Sequence, residues 1–439
     1  MVDSGAGHLY GPQPAPARGA ARGQAPFPRN DARGTAMDRT TTRSARRSRA
    51  GAAVALASTA LLTVSACTTG ETTTSAEDDG GAVQVLVLAD ITGKAAFFGE
   101  AIEQAADFAE SYVNENGGID GRDLELTVQD TTSDPARAST LMNDAVRGDV
   151  DAVVFGVLSE EALTIAPLAQ DAGLPMINIQ AAADGVVETG DAIWRITPPQ
   201  QNFYQNYADY LAEEKDVQTA SVFYVTDNAP SVTLATEVAP EAFGNAGIEI
   251  LDSVSSTSSE TDLTTVASRL LAGNPDHIQT QAIGAQNIAL ITQLRRAGFT
   301  GTIGGGTSLG AGALSALEGD EADGILYYSS FVGSDELGYE SGRQFVSDYE
   351  AAEDVQPNTF HAETFDAFRL IQEAVAASGD ASRAGIVEGL AQVAADGGLT
   401  GAAQAETVTF ENRDARTPGV VIEWMDGRET LAPGQDTGE

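Results

Sequence analysis

Residues 83–130 read VQVLVLADITGKAAFFGEAIEQAADFAESYVNENGGIDGRDLELTVQD. They open with Val83, Val85, Leu86, Val87 and Leu88, a β-branched and apolar run between a glycine pair and Ile91-Thr92-Gly93, which predicts a buried strand. Ile102, Ala105, Ala106, Ala109 and Val113 then recur at helical spacing over 99–115. Asn116-Gly117-Gly118 ends that helix, because glycine readily takes the left-handed backbone of a helix stop. Leu124, Leu126 and Val128 mark a second strand over 124–128. Strand, helix and strand in this order predict a mostly parallel sheet with helices on both faces.

The alternation continues downstream. Helices are expected over 134–147 and 160–172, and strands over 152–155 and 176–179. After Trp194-Arg195-Ile196-Thr197-Pro198 the pattern restarts, with helices over 200–213, 231–246, 261–272 and 285–297 and strands over 220–225, 248–251, 277–281, 302–304 and 325–329. Two α/β lobes follow from this. Ligands of open α/β sheets sit at the carboxyl ends of strands, so loops of both lobes should line a cleft between them.

Upstream, residues 67–81 are too polar to form a core and predict a flexible tether. The basic stretch 38–49, the apolar run 51–64 and Ser65-Ala66-Cys67 have the layout of a secretory signal, and the apolar run is shorter than the roughly 20 residues of a membrane-spanning helix. Arg46-Arg47 lacks the apolar flank of a twin-arginine signal, which favours the general secretory route. The segment resembles a bacterial lipoprotein signal, which implies removal of 1–66, lipidation of Cys67, the single cysteine, and anchoring of the chain outside the cytoplasm. Translation is expected to start at Met37.

Nine of the 24 basic residues and three of the 64 acidic ones precede Cys67, leaving 15 against 61 and a formal charge of −46. Such a surface repels nucleic-acid phosphates and anionic lipid headgroups, so neither is expected as a partner. His8, His277 and His361 form no ligand pair, and no metal or other cofactor is expected.

Residues 102–138, IEQAADFAESYVNENGGIDGRDLELTVQDTTSDPARA, resemble the opening module of periplasmic-binding-protein family 6, which includes the branched-chain amino acid receptors of ABC transporters. Thr92-Gly93 with Phe97-Phe98-Gly99, the stretches 172–177 and 293–298, Phe365-Asp366-Ala367, Leu399-Thr400-Gly401 and the end of the chain at 420–427 extend the likeness to about 82–431. The resemblance implies a type I periplasmic-binding fold: two Rossmann-like lobes joined by three crossovers. It places lobe 1 at 82–197 plus 331–405, lobe 2 at 198–330 plus 406–431, and a tail at 432–439. It further implies a monomeric receptor that binds a small-molecule solute and docks on an ABC transporter permease.

The resemblance also carries site positions, and this chain departs from them. Where amino-acid receptors hold the α-carboxylate with a serine, Glu160 stands, next to Ser159. The hydroxyl for the ammonium falls at Ala182, the acid that pairs with it at Thr307, and aromatic lid positions at Ile283 and at Ala229 or Pro230. An unpaired buried ammonium is costly. The expected ligand is therefore a small polar or aromatic solute without the amino acid head group, and a cation if Glu160 faces the cleft. Phe97, Phe98, Ser159, Glu160, Gln180, Ala181, Asp227, Gln281 and Thr307 are the cleft-facing candidates. Phe97 or Phe98 could equally be core, and Asp227 and Asn228 could be turn formers.

Two alternatives accompany this reading. The same fold serves sensors that report a solute to a separate signalling protein. An enzyme is suggested only by Gly306-Thr307-Ser308-Leu309-Gly310, a G-x-S-x-G match that would make Ser308 a nucleophile with His361 as the later histidine.

Overall fold

The computed structural model describes residues 81–310 and 313–435. The leader 1–66, Cys67, the tether up to residue 80 and residues 436–439 lie outside the described residues.

The first half of lobe 1 alternates as its hydrophobic periods require. It runs β1 (Val83–Ala89), α1 (Ala96–Glu115), β2 (Leu124–Asp130), α2 (Pro135–Arg147), β3 (Ala152–Phe155), α3 (Ser159–Asp171), β4 (Met176–Asn178) and β5 (Ile193–Arg195). Local signals set the ends. Asp134 accepts from the Ala136 amide ahead of Pro135 at the start of α2, and Gly118, at φ +71°, donates back to the Val113 carbonyl after α1. β1 is buried on both faces. Val85, Val87 and Ala89 belong to one core, and Leu86 and Leu88 to another that includes Met142, Ile165 and Met176.

The second lobe holds α4 (Gln201–Glu214), β6 (Thr219–Val225), α5 (Ala229–Thr233), α6 (Ala239–Asn245), β7 (Glu249–Ser256), α7 (Thr264–Leu270), β8 (His277–Gln281), α8 (Ala285–Arg296), β9 (Thr302–Gly305) and β10 (Leu326–Ser329). A π turn over Leu234–Val238 joins α5 to α6, so the helix expected over 231–246 is continuous but locally widened. The chain then returns to lobe 1 with α9 (Glu340–Glu353), α10 (Thr359–Ser378), α11 (Arg383–Ala395), β11 (Leu399–Thr400), β12 (Thr407–Glu411) and β13 (Asp414–Arg416). It ends in lobe 2 with β14 (Val420–Met425) and β15 (Arg428–Leu431).

The sheets have eight strands in the order β11-β12-β13-β5-β4-β3-β1-β2 and seven in the order β15-β14-β10-β9-β8-β6-β7. β1–β5 and β6–β10 are parallel within their sheets; β13 adds to β5 in parallel with β12 and β11 antiparallel in succession, and β14 and β15 extend β10 antiparallel. Three passages join them, at 196–200, 330–339 and 417–419.

The third passage falls later than the boundary after residue 405, so 406–416 belongs to the first sheet. Long-range contacts decide this. Val408 and Ala415 are buried, Phe410 meets Trp194 edge-on at 5.4 Å, and the Arg195 guanidinium pairs with Asp414 at 2.6 Å. The start of the expected tail is also docked, because the Gln435 amide accepts from the Val421 N–H and donates to the Val421 and Ala432 carbonyls. No helix among the described residues is long and apolar enough to cross a membrane.

Candidate functional site

A cavity of about 100 Å³ lies where the two rows of strand ends meet. From lobe 1 it is lined by Phe98 on α1, Val157, Leu158 and Ser159 after β3, Gln180 and Ala182 after β4, and Phe360 on α10. Lobe 2 adds Asn228 and Pro230 after β6, Ile283 after β8, and Thr307 and Ser308 after β9, and Gln200 on the first passage completes the lining. The walls are mostly apolar. Phe98 and Phe360 pack with ring centroids 4.9 Å apart, and Ala95, Ala101 and Leu158 join them in a small separate core. No charged side chain is among these lining residues.

The polar groups come from opposite lobes and meet. Gln180 Nε2 donates to both carboxylate oxygens of Glu363, at 3.0 and 2.8 Å, and the Thr307 hydroxyl donates to Gln180 Oε1 at 3.2 Å across the cleft. Ser159 Oγ accepts from the Ala183 amide at 3.1 Å, which leaves its own proton available. Gly306 stands where a side chain would strike Gln200 Oε1, so glycine lets the passage and the β9 loop approach each other here.

The sequence-derived candidates therefore separate. Phe98, Ser159, Gln180, Ala182, Ile283 and Thr307 are brought together around the cavity, and Pro230 is the lining residue at the second lid position. Phe97 is half-buried against Phe98, edge to face at 6.2 Å, behind the lining. Ala181 is buried, and its carbonyl accepts from Arg195 Nη1 at 2.6 Å. The Gln281 side chain turns into the lobe-2 core and donates to the Tyr204 hydroxyl at 3.0 Å. Asp227 is exposed and binds the Ser258 hydroxyl and amide at 2.6 and 2.8 Å, which hold its carboxyl below the usual range; it is a loop clasp. Glu160 does not face the cavity. It is half-exposed and paired with Lys94, which removes the argument for a cationic solute.

Phe360, Gln200 and Glu363 were missed. Glu363 is fully buried on α10, and burial pushes its carboxyl up to about 7 against the donors around it. Its one sequence signal is its place one turn before Asp366, two acids within the buried stretch FHAETFDAF.

The G-x-S-x-G match does not assemble a triad. Ser308 Oγ donates to the Ala282 carbonyl at 2.9 Å and accepts from Asn287 Nδ2 at 3.3 Å. His361 caps α10, its Nδ1 accepting from the Asn358 amide at 2.9 Å, and burial pushes its pKa down to about 3. A 3-10 turn, Thr307–Leu309, follows β9 where a nucleophile elbow needs a helix.

Two lobes of parallel strands joined by three passages, with a small cavity between their strand ends, define the class. Residues 82–427 match the pattern of the periplasmic binding protein family, and the chain belongs to it. The Leu/Ile/Val-binding protein of Escherichia coli K12 is 24% identical over 245 residues, 56% of this chain and 66% of that protein, so the match spans just under two thirds of its length. The Leu/Ile/Val-binding protein homolog 3 of Brucella melitensis is 21% identical over 79% of this chain and 92% of its own. Among solved structures, a leucine binding protein of Thermotoga maritima superposes with a TM-score of 0.71 at 23% identity, covering 80% of this chain and 97% of that one. A solute binding protein of R. palustris in complex with benzoate superposes at 0.70 and 19% identity, covering 80% and 95%. These structures share the fold expected from the sequence.

Proposed function

We propose that this protein is an extracytoplasmic receptor that captures a small organic solute between its lobes and delivers it to an ABC transporter permease of the branched-chain amino acid uptake type. It acts as a monomer, tethered to the membrane through a lipid on Cys67. Its solute is an uncharged or weakly polar molecule, aromatic or of similar size, and not a standard α-amino acid.

One observation carries the reading: the cavity draws its lining from both lobes and that lining has no charged side chain. Binding there would bridge the lobes, which suits capture by closure. An α-amino acid would bring an ammonium to Ala182 and Thr307, neither of which carries a negative charge to meet it. The aromatic pair Phe98 and Phe360 instead offers ring faces.

The test is a thermal-shift screen of the full chain, followed by titration of the hits and by the mass of any molecule that co-purifies. Neutral aromatic or small polar solutes are expected to raise the melting temperature. Stabilisation by leucine or another standard amino acid at micromolar affinity would refute the ligand class. Growth on radiolabelled palmitate tests the lipid on Cys67: label should enter the mature chain and be lost in Cys67→Ser, and label retained in that variant would refute the anchor.

A further inference from the structure

Glu363 lines no part of the cavity, yet its carboxylate joins three elements. It accepts both Gln180 Nε2 contacts at the end of β4, the Thr359 hydroxyl at 2.8 Å within α10, and the Ser330 hydroxyl at 2.7 Å on the second passage between the lobes. Thr197, on the first passage, faces the same carboxyl without a hydrogen bond of ordinary geometry. A carboxylate can only accept, and an amide has a donor end and an acceptor end. With Glu363 ionised behind it, Gln180 turns its nitrogen inward, Nε2 facing both carboxylate oxygens, and its carbonyl oxygen toward the cleft. Reversing the amide would set a carbonyl against the carboxylate and leave two buried acceptors facing each other.

The consequence reaches the solute. Gln180 Oε1 takes one proton from Thr307 and keeps a second lone pair, so this point of the wall is an acceptor. A hydroxyl or N–H would satisfy it. A carboxylate or bare carbonyl would place acceptor against acceptor. We propose that Glu363 is the positioning residue of this cleft, holding the Gln180 amide with its carbonyl toward the cavity and so selecting solutes that present a hydroxyl or N–H donor there. The selection rests on the solute-binding reading above, whereas the orientation of Gln180 does not.

Glu363→Gln on the full chain is the decisive variant. It keeps the size of the side chain and an acceptor for Ser330 and Thr359, but no longer dictates which way round Gln180 stands. In protein labelled with ¹⁵N-glutamine, the Gln180 side-chain signal is assigned by its loss in Gln180→Leu. In the unaltered protein the Gln180 amide protons should show Overhauser contacts to the Glu363 methylenes and none to the Thr307 methyl. They should also exchange at least about tenfold more slowly than those of exposed glutamines. In Glu363→Gln, contacts to the Thr307 methyl should appear and the protection should fall. Thr307 contacts in the unaltered protein, or a variant with unchanged contacts and exchange, would overturn the positioning role.

Benzamide and methyl benzoate, similar in size but differing in N–H donors, probe the selection by calorimetric titration. Benzamide should bind about tenfold more tightly, and Glu363→Gln should bring the ratio toward one. Equal affinities in the unaltered protein would overturn the selection. If neither probe binds while the Gln180 contacts are as expected, the aromatic-solute reading fails and the positioning role stands. If a probe binds with Gln180 reversed, the positioning role fails and solute binding stands.

Discussion

Behind the first-lobe wall of the cleft, Glu363 is surrounded by donors, whereas Asp90 and Glu161 face each other around one hydroxyl. All three carboxyls are fully buried. Thr131 Oγ1 lies 3.1 Å from Asp90 Oδ1 and 3.2 Å from Glu161 Oε2, and its single proton cannot serve both. Asp90 Oδ2 and Glu161 Oε1 have no hydrogen-bond partner. Burial raises both groups, and Asp90 adds its repulsion to push Glu161 up to about 8. The two titrations are linked, and burial with mutual repulsion favours the protonated form of the pair. Glu363 also rises, to about 7, but its donors oppose the burial. The contrast separates an acid met by donors from three residues from an acid pair that shares one hydroxyl.

The largest expected effect breaks the first member of the contrast. Glu363→Leu strands the Gln180 donor and one of the Ser330 and Thr359 hydroxyls, which lie 2.7 Å apart and keep one bond between them, and urea unfolding should show a loss of about 3 kcal/mol. A loss below about 1 kcal/mol would mean the donors find other partners and the contrast is not one of satisfaction.

The second test is the pH profile. Glu161 and Glu363 bind protons more tightly folded than unfolded, as do Asp366, raised to about 6, and Glu429, raised to about 7. Their contribution is complete below the ordinary carboxyl range and is lost as pH rises through the folded values. Urea midpoints should therefore fall from about pH 5 to about pH 8. A midpoint that rises over that window contradicts the burial assigned to these acids. Glu161→Gln sharpens the result, because a neutral amide can donate to Asp90 at every pH. It should gain about 1 kcal/mol at high pH, change little near pH 5, and flatten the profile.

Two smaller effects bound the comparison. Thr307→Val removes an interlobe hydrogen bond but leaves Gln180 held by Glu363, so the stability loss should be about 0.5–1 kcal/mol. Lys94→Ala breaks an ion pair whose two ends are half-exposed, and its effect should stay below about 0.5 kcal/mol. A larger loss there would show that Glu160 has a role beyond the rim.

Legibility followed the range of the interactions involved. β1, α1 and β2 could be read because apolar spacing and glycine stops are local. The strand expected over 277–281 has those observed bounds. The segment 406–416 could not be placed, since its partners Trp194 and Arg195 lie more than 200 residues away. Within the site, the strand-end rule found the loops carrying Ser159, Gln180 and Thr307, but it could not say which way Gln281 points, because neighbouring strand residues face opposite sides. Glu363 escaped because its helix reads as ordinary core and its partner Gln180 is 183 residues away.

The sequence by itself determined the α/β alternation, the two-lobe division and the family, because hydrophobic period and turn residues act over a few residues. Only the tertiary structure decided which strands complete each sheet, that Glu160 belongs to Lys94 rather than to the cleft, and that Gln180 is gripped from behind by a buried carboxylate. These are matters of long-range pairing and side-chain direction, and they depend on the whole chain being folded around them.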